Sequence, residues 1–127
     1  MKNHEDFMKE ALKEAEIALK NGDWPIGCVI TLDNKIISCA HNQVYPSNNK
    51  LAHAEITAIE KAQPKLLKNK NQAVLYTTCE PCMMCFGAAI LSKVKKIVYG
   101  IKESGGAMHL SDHLPKSFQH PQYQFDF

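Results

Sequence analysis

The chain has 127 residues, 45% of them hydrophobic, which is enough apolar material for one buried core and excludes a disordered or low-complexity tail. Its formal net charge of +2 is too small to name a partner. All fifteen basic residues are lysine; the lack of arginine tilts slightly against a dedicated nucleic-acid reader, although an AT-rich genome explains it better. No apolar run approaches the roughly 20 residues that cross a bilayer, and the opening Met1-Lys2-Asn3-His4-Glu5-Asp6 is unlike a signal peptide. A single cytoplasmic domain over residues 1–127 is expected. The five cysteines agree, being odd in number with two in a metal-type pair.

In chain order, His4 to Lys20 reads as an amphipathic helix, with Phe7, Met8, Ala11, Leu12, Ala15, Ala18 and Leu19 at helical spacing. Asn21-Gly22-Asp23 stops it, Gly22 suiting a left-handed cap. Ile26–Leu32 and Lys35–Ala40 read as strands joined by an Asp33-Asn34 turn, and His41–Lys50 as a polar loop. A helix follows from Ala52 to Ala62, ended by Pro64. Ala73–Thr77 is a third strand, Pro81 the first residue of a helix running to Leu91, and Ile97–Ile101 a fourth strand. Ser104-Gly105-Gly106 opens a loop, and Tyr123–Phe127 alternates as a short last strand. The order α-β-β-α-β-α-β-β predicts a mixed central sheet with helices on both faces. The helix from Cys82 to Leu91 is apolar nearly all round, so one side should face the sheet and the other a second subunit, giving a homodimer.

The chemistry gathers in His53-Ala54-Glu55 and Pro81-Cys82-Met83-Met84-Cys85. One histidine and two cysteines make three ligands for zinc. A structural site takes four, so the open position is left for water, as in a catalytic site. Cys82 and Cys85, at i and i+3, share one helical face in the first turn, where the helix dipole should lower their thiol pKa values. Glu55, beside the metal and not a ligand, would carry the proton of the attacking water. H-x-E…P-C-x-x-C is the pattern of zinc deaminases that act on nucleobases. Against this stand a structural zinc with Cys79 as fourth ligand, which would make the chain a binding module, an iron–sulfur run Cys79-x2-Cys82-x2-Cys85 lacking its fourth cysteine, and an inert set with His53 as a core residue. Cys28 and Cys39 read as small buried hydrophobes. His109 and His113 read as surface residues, and Lys93, Lys95 and Lys96 as a solvated face.

Trp24-Pro25-Ile26-Gly27, Asn42, Ala52-His53-Ala54-Glu55 and Cys79-Glu80-Pro81-Cys82-Met83-Met84-Cys85, in this order, resemble the cytidine deaminase-like superfamily, in the branch of bacterial guanine deaminases and tRNA adenosine deaminases. The resemblance covers about Phe7 to Gly100. It implies a three-layer α/β/α sandwich with a central mixed five-stranded sheet, usually dimeric, and one Zn²⁺ per chain on His53, Cys82 and Cys85. It also implies Glu55 as the catalytic proton shuttle, and Asn42, Ala54, Trp24 and Ile26 as substrate contacts. Asn42-x-Val44-x-x-Ser47-Asn48, Thr57-Ala58-Ile59 and Tyr76-Thr77-Thr78-Cys79-Glu80 look like guanine deaminases. Gly100-Ile101-Lys102-Glu103-Ser104-Gly105-Gly106-Ala107 looks like tRNA adenosine deaminases, but the segment is shorter and their basic C-terminal helix is lacking. The expected substrate is therefore a purine base or nucleoside, guanine first, with adenosine in tRNA second. Fungal-type cytosine deaminase is further off, sharing only Leu75-Tyr76-Thr77-Thr78. Asp112 or the chain end would set the choice of guanine.

Overall fold

The computed structural model describes residues 2–118 and 122–124. Helix α1 (His4–Lys20) starts in a capping box: the Asn3 side chain accepts from the Asp6 N–H at 2.9 Å, and the Asp6 carboxylate accepts from the Asn3 N–H at 3.0 Å. It ends as expected at Gly22, whose φ of +80° lets the Gly22 and Asp23 N–H groups turn back onto Leu19 and Ala18. Phe7, Met8, Ala11, Ala15 and Ala18 are buried, so the periodic face is the packed one.

Strands β1 (Gly27–Leu32) and β2 (Lys35–His41) form an antiparallel hairpin, with Leu32 paired to Lys35 across the two-residue turn. Asp33 and Asn34 both have positive φ, the twist that suits a right-handed ribbon. Strands β3 (Val74–Cys79), β4 (Lys96–Ile101) and β5 (Gln122–Gln124) complete one mixed sheet in the order β2-β1-β3-β4-β5. Four strands of six or seven residues make its body, and β5 is a three-residue edge. β1 runs antiparallel to β3, while β3, β4 and β5 are parallel. Of the strand expected over Tyr123–Phe127, residues 125–127 lie outside the described residues.

Helices α2 (Ala54–Lys61) and α4 (Met83–Leu91) cover the opposite face from α1. Ala58, Ile59, Phe86, Ala89 and Ile90 pack there on Ile30, Leu75 and Ile97, and Phe7, Met8 and Ala11 pack on Val29, Tyr76 and Val98. Each large apolar side chain so buried stabilises the fold by about 1.5–3 kcal/mol. The layers are thus helix, sheet, helices. No helix among the described residues is long and apolar enough to cross a membrane.

Several boundaries differ from expectation. α4 begins at Met83, not Pro81, because Cys82 is still extended (ψ 176°) and serves as its N-cap. α2 begins at Ala54 with His53 as N-cap. A four-residue helix α3 (Lys65–Lys68) follows Pro64, and β3 runs two residues past Thr77. Cys28 is buried as expected, but Cys39 is exposed. β2 is an edge strand whose inward positions are Ser38 and Ala40, so Cys39 points out. His109 and His113 are exposed, and Lys93 holds its ammonium 5.6 Å from the Phe118 ring centroid.

Candidate metal centre and active site

Parallel pairing of β3 with β4 brings Cys79 and Ile101 to the same edge of the sheet, and the N-termini of α2 and α4 converge beside it. Asn42, just past β2, is buried, and its N–H donates to the Ile26 carbonyl at 3.0 Å. Its Oδ1 accepts from the Ala54 N–H at 2.8 Å. That bond fixes the first turn of α2 and holds His53, extended at φ −74° and ψ 151°, at the helix mouth. Cys82 occupies the same capping position on α4, and Cys85 stands one turn on.

His53 Nδ1 lies 3.6 Å from Cys82 Sγ and 3.5 Å from Cys85 Sγ, and the three donor atoms all lie within 4.8 Å of one another. The edge of a tetrahedron built on Zn–S of about 2.3 Å and Zn–N of about 2.0–2.1 Å is about 3.6 Å. The donor set therefore fits one zinc ion in chemistry and in spacing. Cys79 is not in this group. Its thiol is pushed up to about 11, first by burial and then by the nearby Glu103 carboxylate; it is its place outside the donor triangle that sets it apart from Cys85.

Glu55 is buried at 4% exposure. Its Oε2 lies 3.2 Å from the Thr77 hydroxyl, which is equally near the Cys79 carbonyl, while Oε1 is buried with no hydrogen-bond partner among the described residues. An unpartnered buried carboxylate oxygen is costly, so this atom is reserved for something the site takes in. Burial raises the Glu55 pKa, opposed by hydrogen bonds from its own N–H and Thr77, by His53 and by the Cys85 thiol. Burial likewise pushes the Cys85 thiol up, with Glu55 and Cys82 adding to it. The expected lowering by the helix terminus does not win at Cys85, because loss of water outweighs a partial dipole charge. A bound cation would reverse that balance.

A cavity of about 310 Å³ opens over these groups, lined by Trp24, Ile26, His53, Glu55, Cys79, Glu80, Cys82, Glu103 and Gly105. Two of the expected substrate contacts, Trp24 and Ile26, are on its wall. Asn42 and Ala54 are not among its lining residues and bond to each other behind His53. Asp112 is exposed and away from the wall. A larger groove of about 450 Å³ runs along α1 past Leu12, Leu19 and Ile101, but it is apolar and carries none of the metal donors.

Nothing in the motif spacing marks Thr77 as a site residue. A threonine on a buried strand reads as packing, and only the fold shows its hydroxyl turned to Glu55. Thr77→Val, which keeps the shape, is expected to retain zinc and to lower kcat about tenfold through misplacement of that carboxylate. A kcat within about twofold of the parent would assign Thr77 to packing alone.

The family model for the cytidine and deoxycytidylate deaminase zinc-binding region matches residues 1–101. The tRNA-specific adenosine deaminase of Bacillus subtilis (strain 168) is 42% identical over 107 residues, covering 84% of this chain. That match spans 66% of the relative's length, a little under two thirds. A structure from a study of A-to-I editing by tRNA:A34 deaminases superposes with a TM-score of 0.84 at 33% identity, covering 94% of this chain and 97% of that one. The guanine deaminase of Bacillus subtilis follows with a TM-score of 0.75 at 34% identity, covering 99% of this chain and 87% of that one.

Proposed function

Because the chain belongs to the cytidine and deoxycytidylate deaminase zinc-binding family, we propose that it is a zinc-dependent hydrolytic deaminase whose substrate is adenosine in tRNA. The observation that carries the deaminase reading is the triangle of His53, Cys82 and Cys85 beside the buried, unpartnered Oε1 of Glu55. His53, Cys82 and Cys85 would hold the zinc. When bound, zinc lowers the pKa of water from 15.7 to about 7, so that a nucleophile exists at neutral pH.

The protein's own groups do the rest. Glu55 takes one proton of the attacking water on Oε1 and gives it to a ring nitrogen, then takes the second from the newly added hydroxyl and gives it to the departing amine. Thr77 keeps the other oxygen in place. The C–O bond forms first and leaves the carbon tetrahedral; the C–N bond to the exocyclic amine then breaks as the carbonyl forms, and the amine leaves as ammonia. Ile26 and Trp24 flank the base, with Cys79 and Glu103 on the same cavity wall.

The choice of substrate reverses the order expected from the sequence. The relatives matched at 42% and 33% identity are tRNA deaminases. Two exposed aromatic residues also favour a macromolecular substrate. The Asp23 carboxylate accepts from the backbone N–H of Trp24 at 2.7 Å and of Tyr45 at 3.0 Å, which ties together the backbones of two residues that are each about two-thirds exposed, Trp24 being on the cavity wall. Exposed aromatic faces suit stacking of unpaired bases in an RNA loop. Guanine remains the second reading, favoured by the guanine deaminase structure that covers 99% of this chain. Ammonia release from zinc-loaded protein with tRNA, adenosine, guanine, guanosine and cytosine decides. Turnover of tRNA alone supports the first reading, turnover of guanine alone the second, and turnover of none removes the enzyme.

The acting unit is proposed to be a homodimer. Met83 and Leu91 are 71% and 79% exposed, and with Gly87 they fall four residues apart along one face of α4. Light scattering at micromolar concentration should give twice the chain mass, and Leu91→Glu should return it to one. A parent protein that scatters as a monomer would remove the dimer.

A further inference from the structure

We propose that Glu80 is a positioning residue that ties segment 103–108 to the metal-bearing loop and so holds one wall of the substrate cavity; this deepens the deaminase reading of that cavity and rests on it. Glu80 stands between the end of β3 and Cys82. Its own N–H donates to the Ile101 carbonyl at 2.7 Å, which fixes its backbone against the end of β4. Its carboxylate then reaches across to a segment more than twenty residues later. Oε1 accepts from the Glu103 N–H at 3.2 Å, and Oε2 from the Met108 N–H at 3.1 Å.

The chain between these two donors is wrapped round the carboxylate. The Gly106 N–H donates to the Glu103 carbonyl at 3.0 Å, and the Ala107 N–H to the Pro81 carbonyl at 2.9 Å. A Cβ on Gly106 would sit 2.2 Å from the Glu80 carboxyl carbon and 2.5 Å from each of its oxygens, so any side chain there would push the carboxylate off its two donors. Glu103 and Gly105, on the wrapped segment, line the cavity together with His53, Glu55 and Cys82. The carboxylate is thus spent on two backbone donors rather than on metal or substrate, and it sets the distance between the wall and the catalytic group. Two charge-assisted bonds from rigid amides need two acceptor oxygens. A glutamine has one, and its NH₂ would face the second N–H.

Amide hydrogen exchange and deamination kinetics on the zinc-loaded protein test this with Glu80→Gln, Gly106→Ala and the double variant, using whichever substrate the panel shows to turn over. Zinc is expected to stay at one per chain. Exchange at Glu103 and Met108 should rise about tenfold or more, with the amides of α2 and β3 unchanged. KM should rise about tenfold while kcat stays within about threefold, since the wall touches substrate and not the reacting atoms. The double variant should be no worse than either single one, both having broken the same contact. Unchanged exchange at Glu103 and Met108 would overturn the proposal. So would a rise spread evenly over α1, β1 and β3, or a fall in kcat at constant KM. If the parent turns over no substrate, the deaminase reading fails by itself, and the site of increased exchange still decides whether Glu80 is the tether.

Discussion

Glu55→Gln is expected to abolish most turnover, by about 10²–10⁴-fold, while zinc stays at one ion per chain. The substitution keeps the shape of a side chain that is 4% exposed and removes only its capacity to take and return a proton. The Thr77 hydroxyl can still donate to the remaining oxygen, so the side chain should stay where it is. Nor should the fold suffer. Burial already disfavours the ionised carboxylate here, and a neutral amide is spared that cost. Loss of activity with unchanged melting temperature and metal content would therefore locate the defect in proton transfer. Single-turnover release of ammonia, with metal analysis of the same sample, measures it. Near-normal turnover would mean that another group carries the proton and that the proposed mechanism is wrong.

How much of this site was legible in the sequence follows from how far apart its partners lie. His53 with Glu55, and Cys82 with Cys85, are two and three residues apart, so local geometry brings each pair together once a helix cap is assumed. The Asp33-Asn34 turn and the apolar periodicity of α1 are local in the same way, and helix and hairpin form where expected. What spacing could not reveal are bonds across the fold. Thr77 meets Glu55 over 22 residues, Asn42 meets Ala54 over 12, and Glu80 meets Glu103 and Met108 over 23 and 28. The sequence pattern of β3 ends at Thr77 for a related reason. Thr78 reads as polar and exposed, yet it is buried because its hydroxyl accepts from the Gly27 N–H at 3.1 Å. Cys39 failed differently: alternation on an edge strand decides its direction, and the sequence does not say which strand is the edge.

Cys85→Ser should strip the metal and with it both activity and part of the stability, whereas Cys79→Ser should do neither. Cys85 is buried at 1% exposure and stands 3.5 Å from His53 Nδ1, one of three donors of the triangle, so its loss leaves only two protein ligands. A serine oxygen is a far poorer zinc ligand than a thiolate. Turnover should fall at least about 10³-fold, because water at its ordinary pKa supplies almost no hydroxide at neutral pH. The melting temperature should fall by about 10 °C. A ligand present at a thousand times its Kd stabilises the state it binds by about 4 kcal/mol, and a domain of this size loses roughly 2–5 °C for each kcal/mol. Chelation of the parent protein should reproduce that drop, and added zinc should restore it. Cys79 supplies the control that separates an open site from a closed one. It borders the same cavity, yet it is outside the donor group. If Cys79→Ser also loses zinc, the ion has four protein ligands and no position for water, and the reading as a hydrolase falls in favour of a structural metal. If zinc and turnover both survive in Cys79→Ser and both vanish in Cys85→Ser, the three-ligand centre stands on the side chains that the fold brings together.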